Sequence, residues 1–329
     1  MLGVKIAGTG WYLPERRVTN AYFEECYDVP ARWIERATGV RERRYVSGET
    51  TVDMGAAAAR MALTSADLSV DAIDAIVGAS TGPQQAIPCT AAFLQRELGA
   101  PEGRSACFDI NATCLSFLFA LQNVAHLVAA GVYERVLIVS SEIASRSLNP
   151  AERESAVLLG DAAAAVIVTR SEEDGPSGYW HGQFATYSGG ADLTQLVGGG
   201  TLHHPNDPAT TPEMNLFHMQ GAAVFKQASQ LLGPFLENFF TRLCWERQEV
   251  EAVIPHQASR HGIELLTSRL GFLERQVVWN LAERGNCIAA SIPLTLAESV
   301  ASERIKRGDR VILIGSGAGL TLGAIALTY

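Results

Sequence analysis

Cys114 is the residue of this sequence that is best placed to act as a nucleophile. It follows a short apolar segment, Ala106–Ile110, which is typical of a buried strand, and it precedes about sixteen largely apolar residues that end at Gly131. The sequence therefore predicts a thiol at the N-terminus of a buried helix, where unpaired N–H groups and the helix dipole favour the thiolate. A cysteine alone is more often a core residue, since free Cys is among the most buried residue types.

Two polar residues of the second half of the chain have comparable positions. His256 follows the strand-like run Val250–Ile254, and Asn286 precedes an Ala-rich helix that begins near Ala289. A thiol, an imidazole and a carboxamide that meet at facing helix ends can form a nucleophile with hydrogen-bond donors aimed at a carbonyl oxygen. Each residue alone is more often structural, because Asn after Gly is usual in turns and single histidines are usual in cores and on surfaces.

The elements around these residues recur half a chain apart, as an internal repeat of about 60 residues. Each copy has the order strand, helix, strand, helix, strand, and the copies close with Arg135–Ser140 and Arg310–Gly315. In the second copy, Val277–Asn280 is predicted as the middle strand. Such alternation predicts mixed sheets that are covered by helices on both faces.

The repeat predicts an α/β fold with five layers, α/β/α/β/α, in which two mixed sheets share a central helical layer. The N-terminal half, residues 1–172, carries Cys114, and the C-terminal half, 173–329, carries His256 and Asn286. An approximate two-fold axis would relate the halves, so we expect the three side chains to converge near the middle of the molecule.

Composition excludes several classes of protein. The 329 residues are 47% hydrophobic and 19% charged, which is typical of a soluble globular protein with a large core. The net charge of −9 disfavours nucleic-acid binding, and no apolar run reaches the roughly 18 residues of a membrane span. The six cysteines lack paired metal spacings and the chain starts without a signal peptide, so we expect reduced thiols in a cytoplasmic protein with no bound metal.

The glycine-rich stretch Gly315–Leu320 is partly similar to a dinucleotide-binding fingerprint. It lacks the final Gly, and it follows the last predicted strand with no crossover unit beyond it. We therefore expect no nucleotide cofactor at this position.

Ordered sequence matches over essentially the whole chain carry a family resemblance. They are Gly8–Pro14, Trp33–Ile34, Thr38–Arg43, Phe108–Ile110, Gly160–Ala162, Val224–Lys226, Ile254–Ala258, Gly285–Asn286, Ala289–Leu294 and Gly319–Thr321. By these motifs the chain resembles the β-ketoacyl-ACP synthase III family of the thiolase superfamily. The resemblance implies a thiolase fold, a homodimer and a catalytic triad of Cys114, His256 and Asn286.

The reaction implied by the resemblance is a condensation of two thioesters. Cys114 would take an acyl group from acyl-CoA, with the oxyanion held by the main-chain N–H groups of Cys114 and Ala318. A malonyl thioester, most simply on acyl carrier protein, would then lose CO₂, and His256 and Asn286 would hold the enolate oxygen. The product is a β-ketoacyl thioester of fatty-acid or polyketide-type synthesis, and CoA enters as a substrate rather than as a cofactor.

The resemblance also assigns substrate contacts. Trp33 and Arg153 match the residues that flank the CoA adenine. Lys226 is a candidate on its charge alone, for binding phosphates, such as those of CoA, or an acidic partner; alternatively, it belongs to a solvated surface. Ile87 and Phe117 are assigned to the acyl pocket, with Ile87 at the position that reaches across the dimer. Ile87 is smaller than the Phe of short-primer enzymes and lacks the carboxylate of synthases that join two acyl chains, so we expect medium-length acyl groups. Alternatively, Ile87 only packs the dimer contact.

Two positions depart from the family pattern. The Arg usual before Thr38 is Ala37, and the Arg expected five residues after the catalytic His is His261. Both positions normally help to hold CoA or the carrier protein, so these changes put the carrier-protein surface in question.

Two other functions fit the same nucleophile. The first is an acyltransferase or thioesterase-like relative, which would transfer the acyl group from Cys114 to an alcohol, an amine or water. The second is a partner subunit with an inactive site, which would catalyse no reaction. Retention of both His256 and Asn286 favours condensation, because simple acyl transfer can dispense with one of the enolate donors.

Overall fold

The structure, a computed structural model, describes residues 1–173 and 175–329; Asp174, inside the range assigned to the C-terminal half, lies outside the described residues. The strands are β1 Val4–Tyr12, β2 Arg16–Thr19, β3 Glu42–Tyr45, β4 Ala75–Gly78, β5 Ala106–Asp109, β6 Arg135–Glu142, β7 Ala162–Arg170, β8 Gly178–Thr186, β9 Thr194–Gln195, β10 His218–Met219, β11 Ala252–Pro255, β12 Arg310–Gly317 and β13 Thr321–Thr328. The helices are α1 Asn20–Tyr27, α2 Ala31–Thr38, α3 Thr51–Ser65, α4 Thr90–Leu98, α5 Ser116–Ala129, α6 Arg153–Ala156, α7 Gly221–Leu243, α8 Arg260–Ser268, α9 Leu281–Arg284 and α10 Ser291–Ala301.

The first large sheet has five strands in the order β1-β7-β6-β4-β5. Strand β4 is parallel to β5 and β6, whereas β7 is antiparallel to β6 and β1. Strand β7 is buried along nearly all of its length because helices cover both of its faces. Its alternate residues face opposite layers: Ala162 and Ala164 pack toward α10, and Ala163 and Ala165 pack toward α3.

The second large sheet has four strands in the order β11-β12-β13-β8. The prediction of a further strand at Val277–Asn280 is wrong, since only one bridge forms there, between Val277 and Val253. The segment lies between a 3-10 turn at Glu274–Gln276 and α9, which begins at Leu281. Val278 N donates to Val253 O at 2.9 Å, but the pairing with β11 does not continue as a ladder.

Helices α5 and α10 lie between the two large sheets. One buried apolar cluster combines side chains of these helices, such as Leu121 and Leu296, with Val136 of the first sheet and Leu313 of the second. Outer clusters pack α3 and α4 against the first sheet, and α7 and α8 against the second. The predicted five-layer α/β architecture with two mixed sheets, the thiolase fold, is therefore confirmed.

The predicted division at residues 172 and 173 falls between β7, which ends at Arg170, and β8, which begins at Gly178. The division into two halves remains a prediction about domain organisation. Within residues 1–173 and 175–329, no helix is both long enough and apolar enough to cross a membrane.

Candidate active site

Cys114 lies on a tight turn that leads into α5. The 3-10 turn Thr113–Leu115 precedes the helix, and Thr113 has a φ of 53°, in the left-handed region. Two side chains fix the turn: Asn111 Oδ1 accepts from Thr113 N at 2.9 Å, and Ser116 Oγ accepts from Ala112 N at 3.0 Å. The thiol is thus presented just before the buried helix, close to the position that the sequence predicts.

The electrostatic environment of Cys114 differs from the expectation of a thiolate. The residue keeps some solvent contact, but burial of its sulfur, followed by the charge of Glu142, raises the pKa of the thiol to about 12. The main-chain N–H groups of Ala318 and Cys114 act in the opposite direction. Desolvation outweighs these donors, so the resting residue is a thiol and must lose its proton during the reaction.

His256 follows β11 and is 6% exposed. Its main-chain N donates to Ile314 O at 2.7 Å, while its Nδ1 is buried and has no hydrogen-bond partner among the described residues. Burial lowers the pKa of the imidazole to about 4, so the ring is neutral near pH 7. A neutral imidazole can accept the proton of a thiol or donate one N–H to an oxyanion.

Gly315 lets His256 approach the Cys114 turn. A Cβ at this position would lie 2.8 Å from the Cβ of His256 and 3.0 Å from Leu115 Cδ2. Contacts that short do not occur between carbon atoms without displacement, so a side chain here would push His256 and the turn apart.

Asn286 lies between α9 and a second 3-10 turn, Ile288–Ala290, that leads into α10. Its main-chain N donates to Leu158 O at 2.8 Å, and its Oδ1 accepts from Ile288 N at 2.9 Å. Its Nδ2 makes no hydrogen bond to any described residue, and is free to donate to a bound oxygen.

The segments that carry these residues meet. The turn of Cys114 contacts both the turn that follows Asn286 and strand β12, and the N–H of Ala318 lies near the sulfur of Cys114. The hydroxyl of Thr113 lies 3.5 Å from Ala318 O. A thiol, a neutral imidazole, a free carboxamide N–H and two main-chain N–H groups therefore surround one region between the two sheets.

The residues predicted to contact CoA lie on the surface near one another. Helices α2 and α6, which carry Trp33 and Arg153, pack together. Arg153 and Lys226 are exposed, and a Cβ at Gly221 would lie 3.9 Å from Glu154 Oε2, which brings the start of the Lys226 helix beside α6. Their roles in CoA binding stay predictions.

The two residues predicted for the acyl pocket differ in solvent exposure. Phe117 is 1% exposed within the central apolar cluster, whereas Ile87 is 82% exposed. The structure of one chain does not bring them together, and their joint role in an acyl pocket stays a prediction.

Sequence reasoning missed one residue of this region, Glu142. It ends β6, is 3% exposed, and has a pKa that burial raises to about 7. The signal in the sequence was a single carboxylate closing the apolar run Arg135–Ser141, where a charged residue is easily taken for the exposed end of a strand.

Comparisons with known proteins agree with this geometry. Residues 108–185 match the family model for 3-oxoacyl-[acyl-carrier-protein] synthase III, and residues 241–329 match the model for its C-terminal part. Beta-ketoacyl-[acyl-carrier-protein] synthase III 3 of Streptomyces coelicolor is 37% identical, over 98% of this chain and 96% of that protein. The corresponding synthase III of Desulfitobacterium hafniense is 34% identical, over 100% and 98% of the two chains.

Solved structures of the same kind superpose closely. The 3-oxoacyl-[acyl-carrier-protein] synthase III of Aquifex aeolicus has a TM-score of 0.90 at 34% identity, covering 99% of this chain and 100% of that one. The priming β-ketosynthase of the R1128 polyketide pathway has a TM-score of 0.91 at 29% identity, covering 98% and 95%. Fold, sequence and the arrangement of the site agree, and the chain belongs to the β-ketoacyl-[acyl-carrier-protein] synthase III family, whose members are condensing enzymes of the transferase class.

Proposed function

We propose that the protein takes an acyl group from acyl-CoA onto Cys114 and joins it, by decarboxylative Claisen condensation, to a malonyl thioester carried by acyl carrier protein. The observation that carries the proposal is the pair of unsatisfied polar groups next to the Cys114 turn. Buried polar atoms are normally hydrogen-bonded, yet the buried His256 Nδ1 has no partner among the described residues. Asn286 is half-buried, uses its Oδ1 to hold its own turn and leaves its Nδ2 free, so both side chains are available to a substrate oxygen.

The first half-reaction is acyl transfer. Cys114 gives up its proton, for which the neutral His256 is the nearby base, and its sulfur attacks the thioester carbonyl carbon. The N–H groups of Cys114 and Ala318 hold the developing oxyanion. The C–S bond to CoA breaks, and the departing CoA sulfur takes the proton from His256, which is neutral again. Cys114 is left as an acyl thioester.

The second half-reaction forms the new carbon–carbon bond. The bond between the malonyl carboxylate and its α-carbon breaks, CO₂ leaves, and the electron pair becomes an enolate whose oxygen receives hydrogen bonds from His256 and Asn286. The enolate carbon attacks the acyl-Cys114 carbonyl, and the Cys114 thiolate leaves. Acyl transfer to an alcohol, an amine or water needs no such pair of enolate donors, and we do not favour it.

Substrate binding and assembly extend the proposal. Trp33, Arg153 and Lys226 would bind CoA, and Ile87 with Phe117 would shape the acyl pocket. Strand β5 is an unpaired edge of the first sheet with half-exposed side chains, which supports a homodimer formed through that edge. All six cysteines are free thiols, which supports a cytoplasmic location.

The test is mass spectrometry of the intact protein after incubation with acyl-CoAs of two to twelve carbons, with and without malonyl thioester. We expect an acyl adduct on the parent protein that disappears when malonyl thioester is added, and no adduct on Cys114→Ala. An undiminished adduct on Cys114→Ala would refute the assignment of the nucleophile, and an adduct that malonyl thioester does not discharge would refute condensation.

A further inference from the structure

Glu142 is a buried carboxylate beside the nucleophile that takes no part in the steps above. Its Oε1 accepts from Thr81 N at 2.6 Å, and its Oε2 accepts from Gly82 N at 3.4 Å. The hydroxyl of Thr81 is also buried, lies close to the Glu142 carboxylate and has no hydrogen-bond partner among the described residues. None of the ion pairs between described residues includes Glu142. A buried charge without a paired cation lowers the stability of a folded protein, so a carboxylate at this position points to a role in the site.

The carboxylate connects the two halves of the molecule. Strand β6 contacts the turn Ile288–Ala290 that follows Asn286, and the N–H of Ala289 favours the charged form of Glu142. Glu142 therefore joins the Thr81–Gly82 turn of the first half to the turn after Asn286 of the second half.

The other sheet carries a glycine at the equivalent place. Strands β6 and β12 have eight residues each and pair with β7 and β13 in matching registers, so that Glu142 corresponds to Gly317. A Cβ on Gly317 would lie 3.0 Å from Thr113 Oγ1. The glycine thus lets the Cys114 turn pack directly against β12, whereas a carboxylate lies beside the turn of Ala289.

We propose that Glu142 is a positioning residue of the condensing site, whose carboxylate ties the Thr81–Gly82 turn to the turn after Asn286 and so holds the backbone that surrounds Cys114. The inference rests on the proposed role of Cys114. The carboxylate also places a negative charge near the sulfur, which disfavours the thiolate before substrate is bound.

The titratable groups that face Glu142 from neighbouring elements are few. Cys114 lies on the turn before α5, Cys287 lies next to the turn of Ala289, and Asp161 lies just before β7. Strand β4 carries no titratable side chain. The titratable residues of α3 and α5 are exposed; they are Asp53, Arg60 and His126.

The experiment compares Glu142→Gln and Glu142→Asp with the parent protein. Alkylation of Cys114 by iodoacetamide is followed by intact mass from pH 5.5 to pH 9, and condensation of acyl-CoA with malonyl thioester is measured in parallel. Gln keeps the size and removes the charge. Each unit by which the thiol pKa falls makes about tenfold more thiolate, with a partly compensating loss of nucleophilicity, so we expect alkylation about three- to tenfold faster than the parent near pH 9.

The shape of the pH profile separates charge from structure. Near pH 5.5 the carboxyl of Glu142 is protonated in the parent, because its pKa is about 7, and the rate ratio between Glu142→Gln and the parent should approach one. Glu142→Asp keeps the charge on a shorter side chain, so its ratio should stay nearly constant with pH. Both variants should lose at least about tenfold in the kcat of condensation while the KM for acyl-CoA changes little.

Asp109→Asn is the matched control. Asp109 ends β5, on the other side of β4, and accepts from Thr90 N at 2.6 Å and from Ala91 N at 2.9 Å, but it adds no charge effect at Cys114. The ratio of the alkylation rate of Asp109→Asn to that of the parent should not vary with pH. A constant ratio for Glu142→Gln, or condensation at the parent kcat in both Glu142 variants, overturns the proposal.

A failure of the proposed function would look different. Cys114→Ala, tested for acyl uptake, reports on the nucleophile independently of Glu142. If Cys114→Ala still takes up acyl groups, Cys114 is not the nucleophile and the proposed function fails. If Cys114→Ala takes up none while Glu142→Gln alkylates and condenses like the parent, only the role of Glu142 is refuted. The thermal unfolding midpoint of each variant identifies any that does not fold, and Glu142→Asp then carries the test.

Discussion

The turn of Cys114 and the turn that follows Asn286 have the same backbone and different chemistry. Thr113 and Ile288 begin the two 3-10 turns with φ values of 53° and 49°. Each turn is held by an Asn two residues before it, Asn111 or Asn286, whose Oδ1 accepts a main-chain N–H at 2.9 Å. A β-branched residue with positive φ is strained by about 1–3 kcal/mol, and both halves retain that strain.

The differences between the turns lie in a few side chains. Cys114 corresponds to Ala289, so that only the first turn carries a thiol. The Nδ2 of Asn111 donates to Thr81 O at 3.0 Å, whereas the Nδ2 of Asn286 has no partner among the described residues. One asparagine therefore completes the structure, and the other keeps a donor for substrate. The two turns share one backbone geometry. The turn after Asn286 differs in leaving a side-chain donor without an internal partner, and this donor can bind a substrate.

The largest effect is expected when the nucleophile is moved to the equivalent turn. The double variant Cys114→Ala, Ala289→Cys should take up acyl groups at least about a thousandfold more slowly than the parent, because the new thiol lies on the turn beside the Glu142 carboxylate and not on the turn that packs against Gly317 and Ala318. Intact mass spectrometry measures the adduct. Acylation of the introduced thiol at a rate near that of the parent would show that the two turns are chemically equivalent.

The two asparagines provide the second test. Asn286→Ala, like His256→Ala, should lower the rate of malonyl decarboxylation about a hundred- to a thousandfold while acyl uptake from CoA continues, because a donor to the enolate oxygen is lost. Asn111→Ala is the matched variant, and it should lower decarboxylation far less. Release of CO₂ measures the rate. Equal losses at the two asparagines would mean that Asn286 only supports its turn.

The third test concerns His256, whose counterpart in the first half is Ala79. Both residues follow a strand and donate a main-chain N–H at 2.7 Å, to Ile314 O and Val139 O respectively. The pKa of His256 is lowered from 6.5 to about 4, so between these pH values the unfolded chain binds a proton that the folded protein does not. Acidification therefore lowers the free energy of unfolding through this residue, by about 3 kcal/mol.

His256→Ala places alanine at both of these equivalent positions. The variant therefore lacks the pH-dependent contribution of His256 to the free energy of unfolding. On going from pH 7 to pH 4, the parent should lose about 3 kcal/mol of unfolding free energy relative to the variant. Urea denaturation at the two pH values measures the difference. A difference between parent and variant that does not change with pH would contradict a neutral, desolvated imidazole.

The smallest effect is expected at the loops that follow the equivalent strands β4 and β11. Four residues separate Pro255, the end of β11, from Arg260, the start of α8, whereas the loop after β4 is longer and exposes Ile87. Ile87→Phe should shift acylation toward acetyl-CoA by about ten- to two-hundredfold, as is typical for hydrophobic pockets. Acylation rates from two to twelve carbons measure the profile, and an unchanged profile would leave Ile87 with packing alone.

The sequence predicted the layers because these leave local signals, and its prediction of the principal site residues rests on signals of the same kind. Apolar runs of strand length alternate with helices in both halves, and Cys114, His256 and Asn286 stand at the ends of such runs. The pKa of Cys114 was not predictable in this way. The helix terminus that favours a thiolate is local, but the burial and the charge of Glu142 that oppose it come from distant segments.

Two other features also depend on tertiary structure. Glu142 looks like the exposed end of a strand until the turn of Ala289, 147 positions later, covers it. Val277–Asn280 has the composition of a strand, but it forms a single bridge, between Val277 and Val253 of β11. Sequence pattern indicates which structure a segment favours, and contacts with distant segments decide which structure it adopts.

The shared central layer has a consequence for synthesis of the chain. Helix α5 is apolar on nearly all sides, and its partners Ile292 and Leu296 on α10 are made long after it. As the chain leaves the ribosome, the first sheet and α5 expose this surface until the second sheet is complete, since the one cluster needs both. A prematurely terminated chain is therefore expected to aggregate rather than to persist as a folded half.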